Sequence, residues 1–169
     1  MLNYGKILSK EIREEKHHGA ADPKQKLYYY QREDADYLFH VKFKDIDRFG
    51  IVVDYISVAK TRPVLEVSAI NRRLDEQAEA IQKRVTFLLE EFKLIEMDRQ
   101  NKCAQLRSYP PHKADNAKYY YEIMLDEGNK AHFQRYQYSI QDKRYEKITS
   151  QFTTETFERL VDELVKIIA

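Results

Sequence analysis

The stretch from Ser68 to Phe92, SAINRRLDEQAEAIQKRVTFLLEEF, constrains the fold more than any other part of the chain. It runs 25 residues without a Gly or a Pro. Leu74, Ala78, Ile81, Val85, Leu88 and Phe92 recur at alternating steps of four and three, which places them on one face of a helix. Ser68 is a fitting N-cap, because its hydroxyl accepts from an orphan N–H of the first turn. A helix of that length spans about 37 Å at about 1.5 Å per residue, enough to cross a whole sheet. The apolar stripe is narrow and the other faces are charged. Leu74, Ile81, Val85 and Leu88 are therefore expected to face a sheet, and the rest to face water.

The remaining chain reads as strands on either side of this helix, with a helix at each end. Asn3 to Lys16 has Tyr4, Ile7, Leu8 and Ile12 on one side, with Asn3 as cap and His17-His18-Gly19 as stop. Ala20 to Gln25, with Pro23, is a connector. Strands are expected over Lys26–Arg32, Tyr37–Lys44 and Ile51–Ala59, separated by Asp-rich turns. After the long helix come Lys93–Arg99, with Ile95 and Met97 on one side, and Asn101–Tyr109, with Ala104 and Leu106 inward. Pro110 and Pro111 break the chain there.

Lys118–Asp126 places Tyr119, Tyr121, Ile123 and Leu125 on one face. In Ala131–Ile140 the pattern assigns Tyr136, Tyr138 and Ile140 to the core, and Phe133, Arg135 and Gln137 to the opposite side. Tyr145–Phe152 is a last strand. Thr153 caps a C-terminal helix whose Phe152 and Phe157 occupy the staple positions at its start. Phe157, Leu160, Val161, Leu164, Ile167 and Ile168 form its apolar stripe.

The order α-βββ-α-ββββ-α implies an α+β fold. A mainly antiparallel, tyrosine-rich sheet carries a long central helix and a C-terminal helix packed on it. The 169 residues suit one domain over 1–169. KLYYY near residue 26 and KYYY near residue 118 are a faint echo that raises a pseudo-repeat over 20–92 and 93–169.

Composition narrows the function classes. Lys+Arg is 29 and Asp+Glu 28, so no global field draws the chain to a polyanion. One cysteine, Cys103, excludes an intrachain disulfide framework and points to a reducing compartment. No run has the length of a signal-peptide core or a membrane span, so the expected setting is the cytoplasm, without a membrane partner. Four glycines leave little material for a phosphate-cradling loop, and no nucleotide-binding, serine-hydrolase or zinc-protease motif occurs. Asp34-x-Asp36 and Asp45-x-Asp47 lack the further ligands of a cation loop and read as turn residues. The five histidines show no ligand spacing. Neither a catalytic residue nor a metal or cofactor is assigned.

What remains is recognition. The chain has 13 Tyr and no Trp, and Tyr is enriched at interface cores. Arg107, Tyr109, Tyr120, Arg135 and Arg144 form the candidate binding set, a basic and aromatic mixture on neighbouring strands. The element order is similar to that of the small dimeric secretion chaperones, which place helices against a curved sheet and bind extended partner segments. The likeness covers element order and rests on no motif. The expected function is a non-catalytic interaction module that binds a protein partner or a second copy of itself. The alternative is binding of nucleic acid, or a nucleotide-linked role, through the basic and aromatic strand face.

Overall fold

A computed structural model of the chain describes residues 2–14, 20–22, 24 and 26–169, with 20–22 described in backbone only. The expected helix stop at His17, His18 and Gly19 and the connector at Pro23 lie outside the described residues. The fold is α+β: the described residues form three helices and an antiparallel sheet of 11 strands.

Helix α1 spans Tyr4–Arg13, capped by Asn3, whose Oδ1 accepts from the Lys6 N–H at 3.1 Å. A short strand, β1 (Ala20–Asp22), is followed by β2 (Leu27–Glu33), β3 (Tyr37–Ile46) and β4 (Gly50–Lys60). Asp34 Oδ1 accepts from the N–H groups of Asp36 and Tyr37, and Asp47 Oδ1 from those of Phe49 and Gly50. These aspartates thus tie the β2–β3 and β3–β4 turns.

Helix α2 spans Val67–Arg84 and stops well short of Phe92. Val85 and Thr86 are β-branched and Phe87 is aromatic, all poorer helix formers than the residues before them. Leu89 then takes a left-handed φ of 65°, which no continuing helix tolerates. The burial pattern survives the change of structure. Leu74, Ile81 and Val85 are inaccessible and Leu88 nearly so, Leu88 from a loop and Phe92 from strand β5. The helix starts at the Glu66 cap. Ser68 does not cap it, because its hydroxyl donates to the Glu66 carboxylate.

Strands β5 (Glu91–Asp98) and β6 (Cys103–Tyr109) form a hairpin with a bulge at Ile95. At the bulge Ile95 is 49% exposed, whereas Met97, which alternation placed on the same side, packs partly buried against the core. A short β7 (His112–Ala114) and β8 (Ala117–Asp126) follow, then β9 (Lys130–Ser139). The expected last strand divides into β10 (Arg144–Ile148), paired with β9, and β11 (Ser150–Thr153), paired with β4. Helix α3 spans Thr154–Ile168, and Thr153 Oγ1 accepts from the Thr156 N–H at 3.2 Å.

The sheet order is β1-β2-β3-β4-β9-β8-β6-β5. It is mirrored about the β4–β9 junction, with a four-strand antiparallel set on each side. β4 and β9 pair only over Ile56–Ala59 and Phe133–Lys130. Beyond that their edges are taken by β11 and β10. Helix α3 packs over β4 and β9, α2 over β5, β6 and β8, and α1 against α3. One continuous core joins all three helices to the same sheet face.

That packing reverses the expected sides of β9. Ala131 and Phe133 are buried beneath the helices, whereas Ile140 is 47% exposed. Tyr136 and Tyr138 therefore point to the uncovered face, and Arg135 points to the helix side. A strand with apolar and aromatic residues at both parities does not reveal its inner face by alternation alone.

Candidate recognition face

The face of the sheet that carries no helix is built from alternate residues of β2, β3, β4, β9, β8 and β6. Ladder registers fix its rows. One row runs Gln31, His40, Ser57, His132, Met124 and Gln105; beside it Lys42 pairs with Tyr55 on one half, and Gln134, Glu122 and Arg107 line up on the other. The β8–β9 and β9–β10 pairings add Tyr120 opposite Tyr136, and Tyr138 opposite Tyr145.

The densest part is a tyrosine cluster around Arg107. Tyr120 and Tyr136 stack at 5.6 Å between ring centroids, Tyr120 meets Tyr145 edge-on at 6.1 Å, and Tyr138 meets Tyr145 at 4.7 Å. The Arg107 guanidinium lies 4.6 Å from the Tyr120 centroid and 5.5 Å from that of Tyr145. Tyr120 is buried although no helix covers it. Burial pushes its phenol pKa up. Arg107 opposes that shift and Glu122 adds to it.

Arg107 is held by rings alone. Among the described residues it donates no hydrogen bond and pairs with no carboxylate, and its Nε is shielded from water. Glu122 stands directly opposite it on β8. That carboxylate accepts instead from the Gln105 amide, its diagonal neighbour. The guanidinium is thus oriented, desolvated on one side and unused as a donor.

Two tyrosine–histidine pairs extend the face toward β2. The Tyr29 hydroxyl meets His40 Nδ1, and the Tyr55 hydroxyl meets His132 Nδ1 at 2.9 Å. Burial holds the His40 pKa below the ordinary imidazole value, and Lys130 and Lys42 lower it further. Burial does the same at His132, where Lys130 and Lys147 add to the shift and Asp126 opposes it. Both shifts favour the neutral imidazole, and each Nδ1 lies against a phenol hydroxyl. Ser57 lies between them and is inaccessible.

On the other flank, Glu96, Asp98, Cys103 and Glu122 line a recess of about 310 Å³. Burial pushes the Cys103 thiol pKa up, and Asp98, Asp126 and Glu96 add to that, so the thiolate is disfavoured. Among the described residues no three His, Cys, Asp or Glu side chains converge as metal ligands.

The five residues of the candidate set separate in three dimensions. Arg107 and Tyr120 come together. Tyr109, 59% exposed, lies on the same side but beyond the last β6–β8 pair, outside the cluster. Arg135 sits on the helix side, over Tyr121 and 3.6 Å from the Glu90 carboxylate. Arg144 lies in solvent, 3.7 Å from Glu146. Sequence proximity grouped residues that the pleat then sent to opposite faces. Tyr28, Tyr30, Tyr119 and Tyr121 do not form a shared exposed patch either, since Tyr30 is buried against α1 and Tyr121 stacks on Phe133.

Sequence reasoning gave Glu122, His40 and His132 no binding role, and it noted Tyr136 and Tyr145 in a basic and aromatic run but left both out of the candidate set. Their common feature is cross-strand register, which becomes readable only once strand neighbours are known.

The geometry defines an α+β protein with one helix-covered and one open sheet face, the open face carrying a preorganised arginine. Compared with models of protein families, with curated proteins and with solved structures, the chain matches none. Among the described residues no helix is long and apolar enough to cross a membrane.

Proposed function

We propose that the protein is a non-catalytic interaction module that binds a protein partner through the open face of its sheet. The observation that carries this reading is Arg107: half-buried, clamped by Tyr120 and Tyr145, and without a hydrogen-bond partner among the described residues. Tyr and Arg are the residues that dominate binding energy at interface centres. The cluster offers rigid rings with few rotatable bonds, so docking costs little side-chain entropy. On this face Ser57 is inaccessible, and burial first and nearby carboxylates second disfavour the Cys103 thiolate. A reducing, cytoplasmic setting suits a chain with one unpaired thiol.

Light scattering combined with capture from the native lysate tests the reading. The chain is expected to retain a partner in stoichiometric amount, and a variant carrying both Arg107→Ala and Tyr145→Ala to lose it. A strictly monomeric chain that retains nothing overturns it.

Self-association has a separate observation in its favour. The sheet ends at β5, and Leu89, Leu94 and Ile95 along that edge are 98%, 39% and 49% exposed. A concentration-dependent sedimentation coefficient that Ile95→Lys abolishes is the expected result if this edge pairs copies. Single-stranded nucleic acid, the alternative partner, fits the open face less well. The Tyr120 ring is already stacked by Tyr136 and covered by Arg107, and Glu122 stands beside the only arginine of the cluster.

A further inference from the structure

We infer that Arg107 is the anchor for a single carboxylate, an aspartate or glutamate side chain carried by an extended segment of the partner protein; the inference rests on the binding-module reading. Three features of the site point to that chemistry.

The first is the donor geometry. A guanidinium presents paired N–H groups in a planar fork that matches a carboxylate with two parallel bonds. Among the described residues nothing uses the Arg107 fork. Its stem and plane are fixed by Tyr120 and Tyr145, so the fork is oriented before a ligand arrives. Nε is shielded from water and Nη1 and Nη2 are not, so an incoming carboxylate meets the Nη end of the fork.

The second is charge. Glu122 lies directly opposite Arg107, and Glu96 and Asp98 line the recess next to it. One cation beside one buried anion suits a monoanion. A phosphate group brings close to two negative charges, and a phosphodiester strand brings one per nucleotide, so each meets more repulsion from these carboxylates than a lone carboxylate does.

The third is shape. The face is a row of strands whose outward side chains repeat every second residue, and an extended segment has the same repeat. Tyr145, 55% exposed at the rim, offers ring surface to the residue flanking the carboxylate. Lys118 and Lys147 lie across the ladder from Tyr138 and Tyr136, on the same face. They provide long-range attraction that guides an acidic segment inward.

The test is selection from a random heptapeptide library on the full-length chain, run in parallel on wild type and Arg107→Lys. The lysine keeps the charge and removes the fork. Peptides selected on wild type are expected to share an acidic residue at one fixed position, and that preference is expected to vanish on Arg107→Lys. A synthetic copy of the best peptide should bind about tenfold or more weakly when its acidic residue becomes the amide isostere. The Arg107 Nε–H resonance of the wild type should shift on titration, a readout that does not depend on any variant folding. Selected peptides without an acidic position, or binding that leaves this resonance unmoved, overturn the carboxylate anchor while leaving a peptide-binding face in place. Tighter binding of the phosphoserine version, or of a thymidine oligonucleotide, overturns it in favour of phosphate. The binding-module reading falls separately, when the wild-type chain retains no partner.

Discussion

Arg107 on β6 and Glu122 on β8 stand directly across the ladder from each other, yet each is held by someone else: the arginine by Tyr120 and Tyr145, the carboxylate by Gln105. Opposite charges at cross-strand positions usually attract. Here a diagonal amide and two rings take precedence, and the result is a cation prepared for an external acceptor. Glu122→Gln keeps the acceptor for Gln105 and removes the charge beside Arg107. It should tighten binding of an acidic peptide several-fold in calorimetry. Unchanged affinity would show that the anion does not sit at Arg107.

Arg73 is the hub of the opposite layer. Its Nε and Nη2 donate to the Gly128 carbonyl at 3.1 and 2.9 Å, and Nη2 also reaches the Ile168 carbonyl at 2.7 Å. Gln77 adds a bond to the Gly128 carbonyl at 2.9 Å. One side chain thus ties α2 to the β8–β9 turn and to the C-terminal end of α3. Arg73→Ala should cost about 2–3 kcal/mol, since it removes charged hydrogen bonds from partly buried carbonyls. Urea denaturation measures the loss, and hydrogen exchange should show faster opening at the last turn of α3.

Gly5 marks the crossing of α1 and α3. A Cβ there would lie 2.2 Å from the Glu158 carbonyl oxygen, and the Gly5 N–H donates to Asp162 at 2.8 Å. Gly5→Ala therefore forces the helices apart, and backbone cannot yield as a flexible side chain does. Overpacking of this kind costs about 1–3 kcal/mol. A melting temperature equal to that of wild type would show that α1 does not need this close approach.

His40 and His132 set a pH dependence. Their folded pKa values are depressed, by burial first and by neighbouring lysines second. The unfolded chain therefore takes up protons before the folded one as pH falls through the ordinary imidazole value of about 6.5. Stability is fully present above that value and declines below it. Denaturation midpoints should fall between about pH 7.5 and about pH 5.5, a range above ordinary carboxylate titration. Replacing both histidines with Gln should flatten that slope. A slope that survives the double replacement would place the titrating group elsewhere.

Much of the architecture was readable from local pattern. Asn3 and Thr153 cap their helices as their side chains suggest, because a cap needs only the chain within three residues. Leu74, Ile81, Val85 and Leu88 are buried as their spacing requires. The end of α2 was not readable. The spacing of Val85, Leu88 and Phe92 fits a helix, but these residues reach the core through a turn and a strand that pairs Phe92 with Ser108. Burial periodicity says which residues go inward, and not by which backbone path.

The candidate site shows the same division. The residue types, tyrosine and arginine on adjacent strands, belong to the sequence. The union of Arg107 with Tyr120 and Tyr145, and the banishment of Arg135 and Arg144 from it, belong to the tertiary structure. A pleat sends successive residues to opposite faces, so a single-residue change of phase decides which side chains meet. Helix starts and apolar spacing follow from interactions a few residues long. Which face of β9 lies inward depends on where α3 settles, and that is a contact between residues far apart in the chain.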